Sequence, residues 1–135
     1  MNEIMLRSKY TDERPVYMQI IDNIKLYIAA GSFSPGEKIP SIRTLAKGVG
    51  VNPNTMQKSL CELESMGYIV SKKRNGSRYV TNNKSIIDTL KQEIASTKSR
   101  ELIASVHLLN VNEEQLIRII HKFWQDDYQP DRRKI

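Results

Sequence analysis

Two short helical patterns that meet at a glycine turn constrain this chain more than any other feature. The first pattern covers about 41–49 and the second about 52–67, and Gly48-Val49-Gly50-Val51 joins them. Glycine adopts the left-handed conformation that ends a helix, so this turn separates the two elements. Helices this short are unstable alone. They must therefore pack against each other and against further apolar elements.

Each of the two patterns carries its own start signal. Ser41 is predicted to cap the first helix, whereas Asn52-Pro53 opens the second with a capping side chain and a proline in the first helical position. Gly67 is predicted to end the second helix. The predicted buried stripe of the first helix is Ile42, Leu45, Ala46 and Val49. That of the second is Met56, Leu60 and Leu63, with either Met66 or Ser59.

An amphipathic helix precedes the pair, and a hairpin follows it. Apolar residues at helical spacing predict a helix over about 15–30, with Pro15 in its first turn and Gly31 as its stop. Residues 68–70 and 78–80 are typical of short strands, and Asn75-Gly76 between them is a strong hairpin signal. Residues 15–80 are thus predicted to form three helices and a β-hairpin.

Positive charge is concentrated in this part of the chain. The formal net charge is +6 over 135 residues. Residues 1–82 contain 12 Lys and Arg against 7 Asp and Glu, whereas residues 83–135 contain 9 against 8. A basic helix-turn-helix unit favours a polyanionic partner, although charge alone fits a solvated surface equally well.

The pattern predicts a DNA-reading surface on the second helix. In a helix-turn-helix unit the first turns of that helix meet base edges in the major groove. Asn and Gln pair with adenine, Thr meets a base or the thymine methyl group, and Lys and Arg bind phosphates or guanine. The candidates on the helices are Arg43, Lys47, Asn52, Asn54, Thr55, Gln57 and Lys58. Those in the hairpin are Lys73, Arg74, Asn75 and Gly76. The alternative is a capped surface helix beside a solvated basic turn.

Beyond residue 82 the sequence changes to two further amphipathic helices. Ser85 is predicted to cap the first, and Asn112 with Gln115 resembles a capping box before a helix that extends to about residue 126. Two helices have too little volume to bury their apolar stripes on themselves, so a second copy is the predicted partner. Folding back onto the first three helices is the alternative. The predicted dimerisation residues are Ile87, Leu90, Ile94, Leu116, Ile120, Phe123 and Trp124.

Several classes of protein are not expected from these residues. His107 and His121 lack metal-ligand spacing, and Cys61 is the only cysteine, so neither a metal nor another cofactor is expected. Cys61 is predicted to be buried as a small apolar residue. No catalytic motif indicates an enzyme. Because no signal peptide and no apolar run of membrane-spanning length occurs, we expect a cytoplasmic protein without a membrane partner.

Three segments resemble the GntR family of winged-helix transcription factors. They are PVYMQI at 15–20, IAAGSFSPGEKIPSIRTLA at 28–46 and VGVNPNTMQKSLCELESMGYI at 49–69, with the family's motifs in order and spacing. The resemblance implies that Arg43, Asn52, Asn54, Thr55, Gln57 and Lys58 face DNA. The hairpin departs from the family pattern, which is Gly-x-Gly, then Thr or Ser, an aromatic residue and Val. This chain has Asn75-Gly76-Ser77-Arg78-Tyr79-Val80.

The 55 residues after Val80 resemble the tail of the YtrA-type subfamily, in which a short helical region serves dimerisation. The expected fold is mainly α, with a winged helix-turn-helix followed by a two-helix dimerisation tail. The predicted domains are an N-terminal extension (1–14), a DNA-binding domain (15–82), a dimerisation region (83–126) and a flexible tail (127–135).

The resemblance also implies a function. It indicates a repressor that binds a palindromic operator in double-stranded DNA as a homodimer. Members of the YtrA type commonly regulate ABC-transporter operons, so control of such an operon, including the protein's own gene, is the expectation. The rival interpretation is a winged-helix module that binds an acidic protein partner.

Overall fold

The computed structural model describes residues 10–11, 13–72 and 76–126. These residues form five helices and one two-stranded sheet, which confirms the predicted mainly α fold. In chain order the elements are α1 (Val16–Ala30), α2 (Ile42–Val49), α3 (Pro53–Ser65), β1 (Ile69–Ser71), β2 (Arg78–Val80), α4 (Lys84–His107) and α5 (Glu113–Asp126). The described residues up to Lys91 make one compact unit and those from Gln92 a second. Most of the predicted extension 1–14 and all of the predicted tail 127–135 lie outside the described residues.

The third helix is central to the first unit, because α3 packs against α1, α2 and β1. Of the two alternatives for its inward face, Ser59 is buried and Met66 is exposed. The Ser59 hydroxyl lies 3.0 Å from the backbone carbonyl oxygens of Tyr17 and Thr55, which satisfies a polar group in the core. The buried side chains of α3 are Met56, Ser59, Leu60 and Leu63.

The second helix begins and ends where the sequence predicts. The Ser41 side chain accepts a hydrogen bond from the backbone N–H of Thr44 at 3.2 Å. Gly50 has φ 80°, and its N–H donates to the carbonyl of Ala46 at 2.9 Å. That left-handed conformation is easy for glycine and strained for other residues, so Gly50 is what lets the chain turn from α2 into α3.

Two other helix starts differ from the prediction. Pro15 lies at the N-cap of α1 rather than in its first turn, because its ψ of 137° is extended rather than helical. Asn83, not Ser85, caps α4: its Oδ1 accepts from the backbone N–H groups of Ser85 at 3.0 Å and Ile86 at 3.3 Å. An asparagine caps as well as a serine, so the earlier residue takes the role and α4 begins at Lys84.

The two strands form an antiparallel hairpin, here called the wing (Ile69–Val80). Strand β1 begins one residue later than predicted, because the backbone N–H of Tyr68 donates to the carbonyl of Leu63 at 3.1 Å and closes α3 instead. The paired residues are Ile69 with Val80, Val70 with Tyr79, and Ser71 with Arg78.

A third extended segment lies along the wing, and the sequence did not predict it. Lys38 forms an isolated bridge with Tyr79, and the backbone N–H of Ile39 donates to the carbonyl of Arg78 at 2.8 Å. On the same side, the backbone N–H of Val80 donates to the carbonyl of Glu37 at 2.9 Å. Strand β2 is therefore hydrogen-bonded on both edges, which anchors the wing to the first unit.

The surroundings of three residues differ from the prediction. Ile87 and Leu90, assigned to a dimer interface, belong to the first unit and are only 9% and 1% exposed. The single chain already buries them, so they are not available to a second copy. Cys61, expected to be buried, is exposed because it lies on the outward face of α3 beside Gln57 and Lys58 rather than with Leu60.

The described helices lack the combination of length and apolar composition that a bilayer requires. In the described ranges, no helix is both long and apolar enough to cross a membrane.

Candidate nucleic-acid interface

The start of α3, with its N-cap Asn52, carries five of the eleven predicted DNA contacts. Its exposed side chains there include Asn54, Gln57 and Lys58, whereas Thr55 is half-buried. They lie opposite the face formed by Met56 and its buried neighbours. The helix therefore presents amide and ammonium groups outward from a rigidly packed support, which is the arrangement that groove readers require.

Asn52 has a role that limits its predicted contact with a base. Its Oδ1 accepts the backbone N–H of Asn54 at 2.8 Å and so caps α3. Bidentate pairing with adenine uses both the oxygen and the NH₂ group of an asparagine. The cap occupies one of the two lone pairs of this oxygen, so bidentate pairing by Asn52 would have to use the other lone pair together with the NH₂ group.

Lys58 contacts an aromatic ring on a neighbouring helix. Its Nζ lies 3.8 Å from the ring centroid of Tyr17, in the first turns of α1. A cation over a tyrosine face is attracted by the ring, by about 0.5–1 kcal/mol where the pair is exposed. The ring thus restricts where this ammonium lies on the surface next to Gln57.

The second helix contributes two exposed cations. Arg43 and Lys47 are separated by four residues, so they lie on the same side of α2. Arginine binds a guanine or a phosphate with two parallel hydrogen bonds, whereas lysine acts as a point charge. Both side chains are exposed, and their contact with DNA stays a prediction.

At the predicted basic tip of the wing, the structure describes Lys72 and Gly76. Gly76 is exposed, and its N–H donates to the carbonyl of Lys72 at 3.2 Å. Lys72 extends back along the strand, where its Nζ lies 4.3 Å from the Tyr79 ring centroid. The other predicted contacts of the tip, Lys73, Arg74 and Asn75, lie outside the described residues.

A groove of about 630 Å³ separates the wing from the start of α2. The positive end of the α2 dipole opens into it at Ser41, and Lys38 and Arg78 add charge. Sequence reasoning did not assign Lys38, Thr44, Ser77 or Arg78 to this surface. The sequence shows Lys38 just before α2 and Arg78 at the start of β2, but it does not show that the two lie close together. The bridge between Lys38 and Tyr79 in the folded chain places them beside the same groove.

The second unit exposes an unusual amount of apolar surface. Helix α5 has no buried side chain, although Phe123 is 51% and Trp124 69% exposed. A groove of about 680 Å³ between the end of α4 and α5 is lined by Leu102, Val106, Leu116 and Ile120 among others. Contiguous apolar surface of this kind marks a contact site rather than a solvated face.

Other chemistry has little support in the described ranges. No group of three or more His, Cys, Asp or Glu side chains there could hold a metal ion. Burial raises the pKa of Tyr10, which outweighs the lowering by a hydrogen bond to Asn23, and Tyr27 adds to the increase. The phenol of Tyr10 therefore stays protonated at neutral pH.

Comparison with known protein families finds a match for the sequence of the first three helices and the wing. Residues 16–78, which span α1 to the start of β2, match the family described as bacterial regulatory proteins, gntR family. The HTH-type transcriptional repressor YtrA of Bacillus subtilis is 34% identical over 102 residues, covering 76% of this chain and 78% of that protein. The HTH-type transcriptional regulator YhcF of the same organism is 28% identical over 86% of this chain and 95% of its own length.

Solved structures agree over most of the chain. A GntR family transcriptional regulator from Listeria monocytogenes is 33% identical with a TM-score of 0.75, covering 84% of this chain and 98% of its own. YtrA from Sulfolobus acidocaldarius, a GntR-family transcription factor, is 32% identical with a TM-score of 0.55, covering 73% of this chain and 97% of its own.

Proposed function

Because the chain belongs to the GntR family and is a DNA-binding transcriptional regulator of the YtrA type, we propose that it is a homodimeric repressor of a palindromic operator. The observation that carries this proposal is the exposed polar start of α3, supported from behind by a buried core. No enzymatic role is assigned, since the relatives are transcriptional regulators.

In this proposal α2, α3 and the wing contact different parts of the DNA. Asn54, Thr55 and Gln57 contact base edges, and Arg43 contacts a guanine or a phosphate. The NH₂ group of Asn52 adds to the base contacts, while Lys47, Lys58 and the tip residues Lys73 to Gly76 bind the backbone. Phosphate contacts supply most of the affinity, so binding weakens steeply as salt rises.

The domains proposed for these tasks are 15–82 for DNA binding and 83–126 for dimerisation, with the contact between subunits confined to residues from Gln92 onward. A symmetric dimer presents two copies of α3, and this symmetry is the reason to propose a palindromic operator. The dimer contact is proposed for Ile94, Leu116, Ile120, Phe123 and Trp124, whose side chains are half-buried or exposed in the single chain.

Repression is proposed from the name of one relative, and the choice of target from the resemblance to the YtrA type. A repressor named YtrA is among the proteins that this chain resembles over three quarters of its length. We propose accordingly that the chain acts in the cytoplasm on an ABC-transporter operon that includes its own gene.

Footprinting on the DNA upstream of the protein's own gene tests this function. We expect protection of an inverted repeat whose half-sites lie about one helical turn, or a multiple of it, apart. Addition of the protein to a transcription reaction from that promoter should lower transcript yield. Protection without symmetry would contradict the dimeric operator, and a rise in transcript would contradict repression.

A further inference from the structure

One carboxylate at the end of α3 contacts both strands of the wing. Oε2 of Glu64 accepts a hydrogen bond from Nε of Arg78 on β2 at 3.4 Å. Oε1 of the same side chain accepts a hydrogen bond from the hydroxyl of Ser71 on β1. Ser71 and Arg78 face each other in the hairpin register. We call this group of three residues the clasp.

The clasp occupies the outermost paired position of the wing. Ile69 and Val80 pair at the inner end and are buried, whereas Ser71 and Arg78 form the last pair before the tip. Beyond them, the backbone N–H of Lys72 donates to the carbonyl of Ser77 at 3.0 Å. A hairpin with strands of three residues is marginal by itself, so its outer end needs support from a neighbouring element.

The burial of the clasp distinguishes it from an ordinary surface ion pair. The side chains of Arg78 and Glu64 are 17% and 34% exposed, against 48% for Arg14, which precedes α1, and 51% for Asp22 on α1. Partial burial reduces screening by water and salt, and the hydroxyl of Ser71 shares the carboxylate. The clasp is therefore less screened by solvent than the exposed pair, although its N···O distance of 3.4 Å is longer than the 2.6 Å of that pair.

We propose that Glu64 is a positioning residue that holds the wing at a fixed direction relative to the base-reading start of α3. Glu64 is on the same helix as the proposed base-contacting residues, so the clasp connects the wing directly to the helix that carries those residues. The inference rests on the proposed DNA-binding function. It also explains why Arg78 stands where the resembled family pattern has Thr or Ser. The resembled family pattern has two glycines in the wing, whereas this chain has only Gly76 there. In this chain the side-chain contacts of Glu64 support the wing.

Matched charge substitutions test the proposal. Glu64→Gln and Glu62→Gln each remove one negative charge from the end of α3, and Glu62 is an exposed residue outside the clasp. Binding to the footprinted operator is measured by fluorescence anisotropy at several salt concentrations. We expect Glu62→Gln to bind as tightly as the wild type or slightly more tightly. Glu64→Gln should bind about tenfold more weakly, the effect of losing one charge-assisted contact.

The salt dependence reports whether the wing has lost contact with DNA. Loss of one phosphate contact reduces the slope of log K against log salt by about 0.9. We expect that reduction in Glu64→Gln and an unchanged slope in Glu62→Gln. In an Arg78→Thr background, Glu64→Gln should have little further effect, because the carboxylate has already lost its charged partner.

A measurement on the protein without DNA separates this inference from the proposed function. Amide hydrogen exchange at Lys72 and Gly76 should be faster in Glu64→Gln than in Glu62→Gln, with unchanged circular dichroism. Faster exchange with unchanged operator affinity and slope would overturn the positioning role. Unchanged exchange would overturn the clasp itself. If the wild type protects no operator, the proposed function is wrong and the positioning role is withdrawn with it.

Discussion

Asn52 shows how one side chain at the reading surface is limited by its structural task. Its oxygen caps α3 through the backbone N–H of Asn54, so only one of the two lone pairs of that oxygen is left for an adenine contact. Lys58 is limited in a different way, because the ring of Tyr17 holds its ammonium close to α1. At this scale a residue type is a guide to chemistry, but its local partners decide which atoms are available for DNA.

We predict that Asn52 contributes more to stability than a surface asparagine. Asn52→Ala should lower the free energy of unfolding by about 1 kcal/mol, because an orphan N–H of α3 loses its acceptor. Asn52→Asp supplies an equivalent oxygen and should stay close to the wild type. Urea unfolding at one fixed protein concentration measures both. Equal midpoints for Asn52→Ala and wild type would contradict the capping role.

We predict that Thr55, and Arg43 where it contacts a guanine, determine operator preference. Arg43→Ala and Thr55→Ala should each weaken operator binding by about 1–3 kcal/mol, the value of a specific base contact, with dimerisation intact. Anisotropy titrations with the operator and with a scrambled duplex measure the difference.

Lys91→Ala, an exposed cation on α4, is the matched control and should leave that difference unchanged. If Arg43→Ala and Thr55→Ala bind the operator like the wild type, their assignment is wrong.

Among the elements, the turns that join α1 to α2 and α2 to α3 each require a glycine conformation. Gly50 and Gly36 both have positive φ, 80° and 77° respectively. Nothing lies within 4 Å of the position that a Cβ would occupy at Gly50, whereas at Gly36 it would lie 2.6 Å from Oδ1 of Asn82. That atom is the end of a rotatable side chain, so conformation rather than space sets most of the requirement at both turns.

Alanine substitutions test this reading of the turns. We expect Gly50→Ala and Gly36→Ala each to lower the free energy of unfolding by about 1–2 kcal/mol, the energy of a left-handed conformation for an L-residue. Thermal or urea unfolding at a fixed protein concentration measures the two values. Any excess at Gly36 should disappear in an Asn82→Ala background, because the amide is then absent. An excess that persists there would show that the turn itself is intolerant of a side chain.

At the scale of the whole molecule, the second unit has apolar side chains that a single chain does not bury. Helix α5 buries none of its side chains, yet its sequence has the apolar stripe of a packed helix. Burying such a stripe stabilises by about 25 cal/mol per Å² of apolar surface. A second copy is the partner that we propose, because two linked DNA-binding units also gain affinity for two half-sites.

We predict that a charge in this stripe separates the subunits. Phe123→Glu should convert a dimer into a monomer in sedimentation velocity at micromolar concentration, and should weaken operator binding as the second half-site contact is lost. Gln125→Glu places the same charge on an exposed position of α5 and should remain dimeric. A wild-type chain that sediments as a monomer at that concentration would refute the dimer.

Local signals in the sequence were sufficient for most of the secondary structure. Ser41, Gly50 and the pair Asn52-Pro53 act on backbone groups within a few residues, and the helices begin and end where those signals predict. The capping box was equally readable: Asn112 and Gln115 exchange hydrogen bonds of 2.9 Å at the start of α5. The outward side chains of α3 followed from helical periodicity for the same reason.

What the sequence by itself determined was thus the order of the helices, most of their ends, and the family. Only the tertiary structure decided that Ile87 and Leu90 are buried, that Lys38 bridges the wing, and that Glu64 holds Arg78. The physical reason is range. Caps and glycine turns depend on neighbours along the chain, whereas burial and long-range pairing depend on segments that meet only when the core has formed.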